Sequence, residues 1–205
     1  MKAYLLNWEW DHLIDMTDDA TLISYSDSEN LRFVLTGISK DPLPNILYLQ
    51  ANFNVISKKT DFPIIDVGFP VLSKRMISIL LKIKNFSHRV IETVMIDDTY
   101  FGQLFDEKGL LLSNVPINKE YSALQILEYT NAFDYENSDF KPLRSNPNMP
   151  GVIKRLILRR PNNGFPPIFK IIEKSSDLFL SEEAKDSLLE NDIKGCVFTP
   201  IDVNY

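Results

Sequence analysis

The chain opens on an alternation. Tyr4, Leu6, Trp8 and Trp10 fall on one face of an extended segment, and Leu5, Asn7 and Glu9 on the other. That is the period of a half-buried β-strand, and it predicts both tryptophans in the core. Further strands are expected at 21–25, 31–36, 46–50 and 52–57, divided by the turn-rich stretches SDSEN and KDPLPN. Residues up to about 66 therefore read as a small antiparallel sheet. At Leu72 the period changes. Leu72, Met76, Ile79, Leu80 and Ile83 share one helical face. Ser73 suits an N-cap and Leu72 can staple onto Ile77, so the spacing predicts a helix over 73–84. A strand follows over 88–96, and DEKG at 106–109 reads as a turn.

Beyond the proline-bearing loop KPLRSNPNMPG, two strand-like runs lie at 152–158 and 168–172. The intervening RRPNNGFPP predicts a hairpin-like connection from its asparagine, glycine and proline residues. Ser181 is placed to cap a helix whose first turn carries Glu182 and Glu183, a charge that suits the helix dipole. Ala184, Leu188 and Leu189 are candidates for its inner face. Gly195 ends that turn and GCVFTPI closes the pattern as a strand. The expected fold class is α+β, with mainly antiparallel sheets and a few amphipathic helices packed on them. An acidic, β-rich lobe is drawn at 1–69 and an α+β domain at 70–205. The two can also form one continuous unit.

With 205 residues, 44% hydrophobic and 24% charged, the composition is that of a globular chain able to bury a substantial core. The single cysteine, Cys196, rules out an internal disulfide framework and fits a reducing compartment. Lys2 is followed by Glu9 and Asp11 before any long apolar run, unlike a secretory signal. No apolar stretch approaches the length of a membrane span. A cytoplasmic location is expected. The net charge of −6 sits in one place: residues 1–30 hold Glu9, Asp11, Asp15, Asp18, Asp19, Asp27 and Glu29 against Lys2. Such a field repels nucleic acid and steers basic partners. A solvated edge that keeps the chain soluble would carry the same charges.

Chemistry-bearing motifs are missing. No two of the seven glycines lie within six positions of each other, so no loop can cradle a phosphate. There is no GxSxG, HExxH or CxxC. Glu9, His12 and Asp15, spaced by three, come nearest to a metal set, but Glu9 falls in the preceding strand. His88 reads as an ordinary edge residue, and Cys196 as an inert thiol in a strand. Lys154, Arg155, Arg159 and Arg160 form the one basic cluster. On a strand it splits between faces, and it lacks interleaved aromatics. No catalytic residue, cofactor, metal, membrane or nucleic-acid partner is expected.

From about Pro70 onward, PVLSKRMISILL, EYTNAFDYENSDF and PPIFKIIEKSSDLFLSEEAKDSLLENDIKGCVFTPI follow one another in an order and spacing that resemble a family of bacterial immunity proteins of polymorphic toxin systems. The last stretch carries most of the likeness: "Ile-Phe-Lys", "Leu-Phe-Leu-Ser", a helix, then "Lys-Gly-Cys-Val-Phe-Thr-Pro". The resemblance implies an α+β inhibitor, not an enzyme, that binds and blocks a cognate toxin domain in the cytoplasm. Asp134, Tyr135 and Ser138 match a family motif and read as groups that hold a turn. A basic toxin surface would meet the acidic lobe, with Asp11, Asp15, Asp18 and Asp19 as steering charges and Asp27 and Glu29 beside them. Phe53, Tyr100 and Phe101 are candidate anchors, each read more readily as core than as interface. Two rivals remain: a small enzyme that reverses a toxin's modification in a cleft around His12, and an oligomeric adaptor of a secretion system with an apolar patch.

Overall fold

The computed structural model of the chain describes residues 2–10, 19–23, 37–38, 43–66 and 69–204. In chain order the elements are β1 (Ala3–Trp8), β2 (Ala20–Leu22), β3 (Ile46–Ala51), α1 (Phe53–Lys59), β4 (Val71–Ser73), α2 (Lys74–Ile83), β5 (His88–Asp97), β6 (Ile117–Asn118), β7 (Tyr121–Ile126), β8 (Asp139–Pro142), β9 (Pro150–Arg155), β10 (Ile157–Arg159), β11 (Ile168–Phe169), a 3-10 turn (Ile172–Lys174), β12 (Leu178–Ser181), α3 (Glu182–Glu190) and β13 (Cys196–Asn204). The molecule is mainly sheet with few helices, as an α+β fold requires. One sheet has the order β10-β13-β1-β12-β11. A second has the order β2-β3-β5-β7-β4, with β6 on β5, and β8 and β9 form a separate hairpin.

Both sheets cross position 69. β1 lies between β12 and β13, with Leu6 opposite Leu178 on one side and Phe198 on the other. β3 runs beside β5, with Leu49 opposite Met95. Among the described residues, β1, β2 and β3 thus complete the sheets of the later residues, in the manner of one continuous unit. One apolar cluster explains the union. It gathers Leu6, Leu178 and Leu180 from the first sheet, Leu124 and Ile126 from the second, Met76 and Leu80 from α2, and Ala184 and Leu188 from α3. β12 is buried on both faces, since Phe179 points the other way, into a cluster with Ala3, Phe133, Phe165 and Phe169. Removing one such fully buried side chain, as in Leu80→Ala, costs about 2–5 kcal/mol.

Helix α2 forms as its pattern dictates. Ser73 Oγ accepts from Met76 N at 3.0 Å, and Leu72 and Ile77 are buried in the same cluster. Ser181 caps α3 by accepting from Ala184 N at 3.2 Å. Leu189 is an exception, 53% exposed on the outer face. The strand expected at 52–57 is instead helix α1. Asn52 Oδ1 accepts from Asn54 N at 3.0 Å and Asn52 O accepts from Ile56 N at 3.0 Å, so an N-cap overrides the strand preference of Val55 and Ile56. That helix begins the connection that returns β5 parallel to β3, so the sheet is mixed and not antiparallel throughout. β10 is also parallel to β13. The strand expected at 31–36 lies outside the described residues, and of 21–25 only 21–23 are described, with the strand ending at Leu22.

RRPNNGFPP does not make a hairpin. β10 and β11 stand at opposite edges of the first sheet, and the connection crosses it with Phe165 buried against Phe169, rings stacked at 5.0 Å. The run at 152–158 breaks at Leu156 into β9 and β10, and the run at 168–172 leaves the sheet after Phe169. Trp8 packs on the core at 5.5 Å from Phe62, but Trp10 is 53% exposed, since β1 ends at Trp8. Among the described residues no helix is long and apolar enough to cross a membrane.

Candidate protein-binding surface

The β5–β6 connection, residues 98–116, leaves the second sheet and returns to it. Its ends are held together. Ile96 pairs with Ile117, Asp97 N donates to Pro116 O at 3.3 Å, and Asp98 N donates to Ala51 O at 3.1 Å. Asp97 opens it as a side-chain turn, with Oδ1 accepting from Thr99 N at 2.9 Å and Thr99 Oγ1 at 2.7 Å. Tyr100, Leu104, Leu111 and Leu112 turn inward onto Val94, Ile96, Val115 and Tyr48, and Phe105 meets Tyr48 edge-on at 5.1 Å. The expected DEKG turn is present, with Asp106 Oδ1 accepting from Lys108 N and Leu110 N, both at 2.8 Å. The excursion is therefore a compact body with an apolar floor.

Its outside is unusual. Phe101 is 95% exposed and Leu110 is 62% exposed. The same segment carries Asp97, Asp98, Asp106 and Glu107 against Lys108, and none of these carboxylates forms an ion pair among the described residues. Tyr100 accepts from Asn114 Nδ2 at 2.9 Å, which fixes its ring over Gly102. A Cβ at residue 102 would stand 2.5 Å from Tyr100 Oη, so any larger residue there would push the Tyr100 ring aside. Of the three anchor candidates, Phe53 and Tyr100 are half-buried against apolar clusters and Phe101 alone faces outward.

The expected steering charges are not assembled into this surface. Asp11, Asp15, Asp18, Asp27 and Glu29 lie outside the described residues, as does His12. Asp19 is 2% exposed. Its Oδ2 accepts from Ile64 N at 2.9 Å, so its carboxylate serves a buried backbone group and not a partner. The pattern of charge along the sequence pointed to residues 1–30. The acids of the excursion were legible only in part, through DEKG, read as a turn.

Asp134 is fully buried and sits at the root of the β8–β9 hairpin. It accepts from Asn137 Nδ2 at 2.9 Å, Asn204 Nδ2 at 3.1 Å, Glu136 N at 3.1 Å and Asn137 N at 3.3 Å, and it meets Arg159 at 3.3 Å. Burial would raise its pKa, but these hydrogen bonds outweigh it and hold the carboxyl at about 2. Ser138 Oγ donates to Ile157 O at 3.1 Å and accepts from Ile157 N at 3.0 Å, standing in for a strand partner. Tyr135 donates to Glu173 at 2.7 Å, and its partial burial and that carboxylate push the phenol up to about 12. The motif residues hold structure together.

The same holds for most of the basic cluster. Lys154 pairs with Asp139 at 3.9 Å, Arg155 with Asp202 at 2.9 Å and Arg159 with Asp134. Burial pushes the Cys196 thiol upward, with Asp61 and Glu9 adding to it, which disfavours the thiolate at neutral pH. His88 shares a hydrogen bond of 2.8 Å with Phe86 O. Among the described residues no cluster of His, Cys, Asp or Glu could hold a metal. A cleft of about 150 Å³ between β1 and the 170–178 segment is lined by Trp8, Phe62, Pro70, Lys170 and Asp177. Burial brings the Lys170 amine down to about 8, with Asp177 pulling the other way, while Asp177 itself is held by Lys174 at 2.5 Å. Compared with known proteins, the chain matches no protein-family model and no curated protein.

Proposed function

We propose that the chain is a cytoplasmic immunity protein that binds a cognate antibacterial toxin domain and blocks it by occupying its surface. The observation that carries this reading is Phe101, a nearly fully exposed aromatic ring on a segment closed over its own apolar floor. Exposed large rings of this kind are where binding energy concentrates in protein interfaces. The immunity-family resemblance over residues 70–205 supports it from the sequence, as does the structural use of the motif residues. The experiment is co-expression with the toxin-like domain encoded beside the gene, scoring growth and co-purification. Growth rescue with a stoichiometric complex is the expected outcome. Neither rescue nor complex would remove the reading.

A second reading has one observation in its favour. Lys170 places an amine of lowered pKa against a cleft, which a small enzyme that undoes a toxin's damage could use. That reading expects rescue without a complex, and loss of rescue in Lys170→Met. Blockade expects Lys170→Met to rescue as well as the parent chain.

A further inference from the structure

Resting on the blocking reading, we propose that the partner presents a cationic cleft with an apolar pocket in its floor, and that the 98–116 excursion enters this cleft with Phe101 in the pocket. Three independent features of the excursion point to such a partner.

The first is the ring itself. Phe101 is held out of the core while its neighbour Tyr100 is drawn in. This is not a frayed tip. The Asn114 amide holds the Tyr100 hydroxyl, and the absence of a Cβ at Gly102 lets that ring lie flat against the backbone. The lock fixes the direction of Phe101 before any partner arrives, which lowers the ordering cost of binding. An apolar pocket is the environment that removes this ring from water.

The second is charge. Asp97 and Asp98 at the root of the excursion and Asp106 and Glu107 within it face only Lys108 as an opposing charge in the segment. Carboxylates without local counter-charges hold a negative potential over the tip, and a cationic surface complements it.

The third is contrast with α3, which bears Glu182, Glu183, Asp186 and Glu190. There Glu182 accepts from Lys2 N at 3.1 Å and Asp186 pairs with Lys185 at 2.5 Å. One of its acids is thus answered by a cation within the chain, and the ring beside that pair, Tyr4, lies under Lys185 at 5.0 Å and is not held out to solvent as Phe101 is. Negative charge alone does not single out a docking surface, while negative charge around a fixed, exposed ring does.

The two kinds of group have separable effects. Peripheral carboxylates speed encounter and lose influence in salt, whereas a ring seated in a pocket slows dissociation.

The test needs no toxin, so its result stands apart from the fate of the blocking reading. The full chain, labelled with nitrogen-15, is titrated with a synthetic peptide that alternates arginine and leucine, and with its glutamate–leucine counterpart. The expected result is a set of amide shifts centred on residues 97–110 for the arginine peptide alone, shrinking as salt is raised. Phe101→Ala should weaken that binding by about tenfold or more. Gly102→Ala, which displaces the Tyr100 ring but keeps every charge, should weaken it several-fold. Shifts centred on α3, no shifts at all, or equal affinity in Phe101→Ala would each overturn the proposal.

Discussion

Two segments leave the body of this molecule and return to it, and they are built in opposite ways. The 98–116 excursion has little ladder of its own. It is closed by an apolar floor of Tyr100, Leu104, Leu111 and Leu112, and its acids meet no cation among the described residues. The β8–β9 hairpin has a ladder from Asp139 opposite Arg155 to Pro142 opposite Pro150. Its cations Lys154 and Arg155 are answered by Asp139 and Asp202. The roots differ in the same sense. Asp97 opens the excursion as a half-exposed turn acceptor, while Asp134 anchors the hairpin from full burial. The comparison teaches that the number of charges in a stretch says little about its availability to a partner. What matters is whether the same chain already supplies the counter-charges.

The sharpest way to break this contrast is at the buried root. Asp134→Ala should destabilise the fold by about 2–4 kcal/mol in denaturant unfolding, because Asn137, Asn204 and two backbone N–H groups lose their acceptor. A cost below 1 kcal/mol would show the hairpin to be held by its ladder alone. At the other segment, Phe101→Ala should cost about 2 kcal/mol of toxin-domain binding and leave the unfolding midpoint where it was, since the ring touches little of its own chain. A fall in stability comparable with the loss of binding would make Phe101 a core residue after all.

Acid gives a third distinction. The Asp134 carboxyl is lowered from 3.8 to about 2 in the fold. A depressed value means that its stabilisation is complete above the unfolded pKa near 4 and is lost as pH falls through the folded value near 2. Unfolding curves between pH 5 and pH 2 should therefore show a loss in the parent chain that Asp134→Asn has largely suffered in advance. A parallel pH dependence in both proteins would detach this group from acid stability. Asp97→Ala should cost less, about 0.5–1 kcal/mol, because only the Thr99 contacts go and the site is wet. Least of all, Lys154→Ala should change stability by under about 0.5 kcal/mol, its pair with Asp139 being exposed.

The long periodic segments were legible in the residues. Ser73 with Leu72 and Ile77 specified α2, and Ser181 with Ala184 and Leu188 specified α3, because cap and apolar face agree at both places. Local preference misled at Asn52, where the strand preference of Val55 and Ile56 hid a capped helix. It misled again at RRPNNGFPP, where turn residues served a crossing and not a hairpin. The connection length that separates these outcomes is set by which strands pair, and pairing between distant segments leaves no local trace. The candidate surface was harder still to read. Tyr100 and Phe101 are adjacent aromatics with the same claim on the core. The inward turn of Tyr100 is matched by its hydrogen bond with Asn114, the space at Gly102 and its packing on Val94, Ile96 and Val115, all of which come from the folded arrangement. The acids of residues 1–30 drew attention by their number, yet Asp19 among them is spent on Ile64 N.

The placement of β1 has a consequence in time. Its partners are β12 and β13, some 170–200 positions further along the chain. β1 is thus made well before the strands it pairs with. Until β12 and β13 emerge, Leu6 and Trp8 have no neighbours in this sheet. During that interval the nascent chain offers an apolar, strand-forming segment to whatever is nearby, which is the kind of segment that chaperones hold. Folding at the second sheet, whose strands lie closer together in sequence, can proceed while β1 waits.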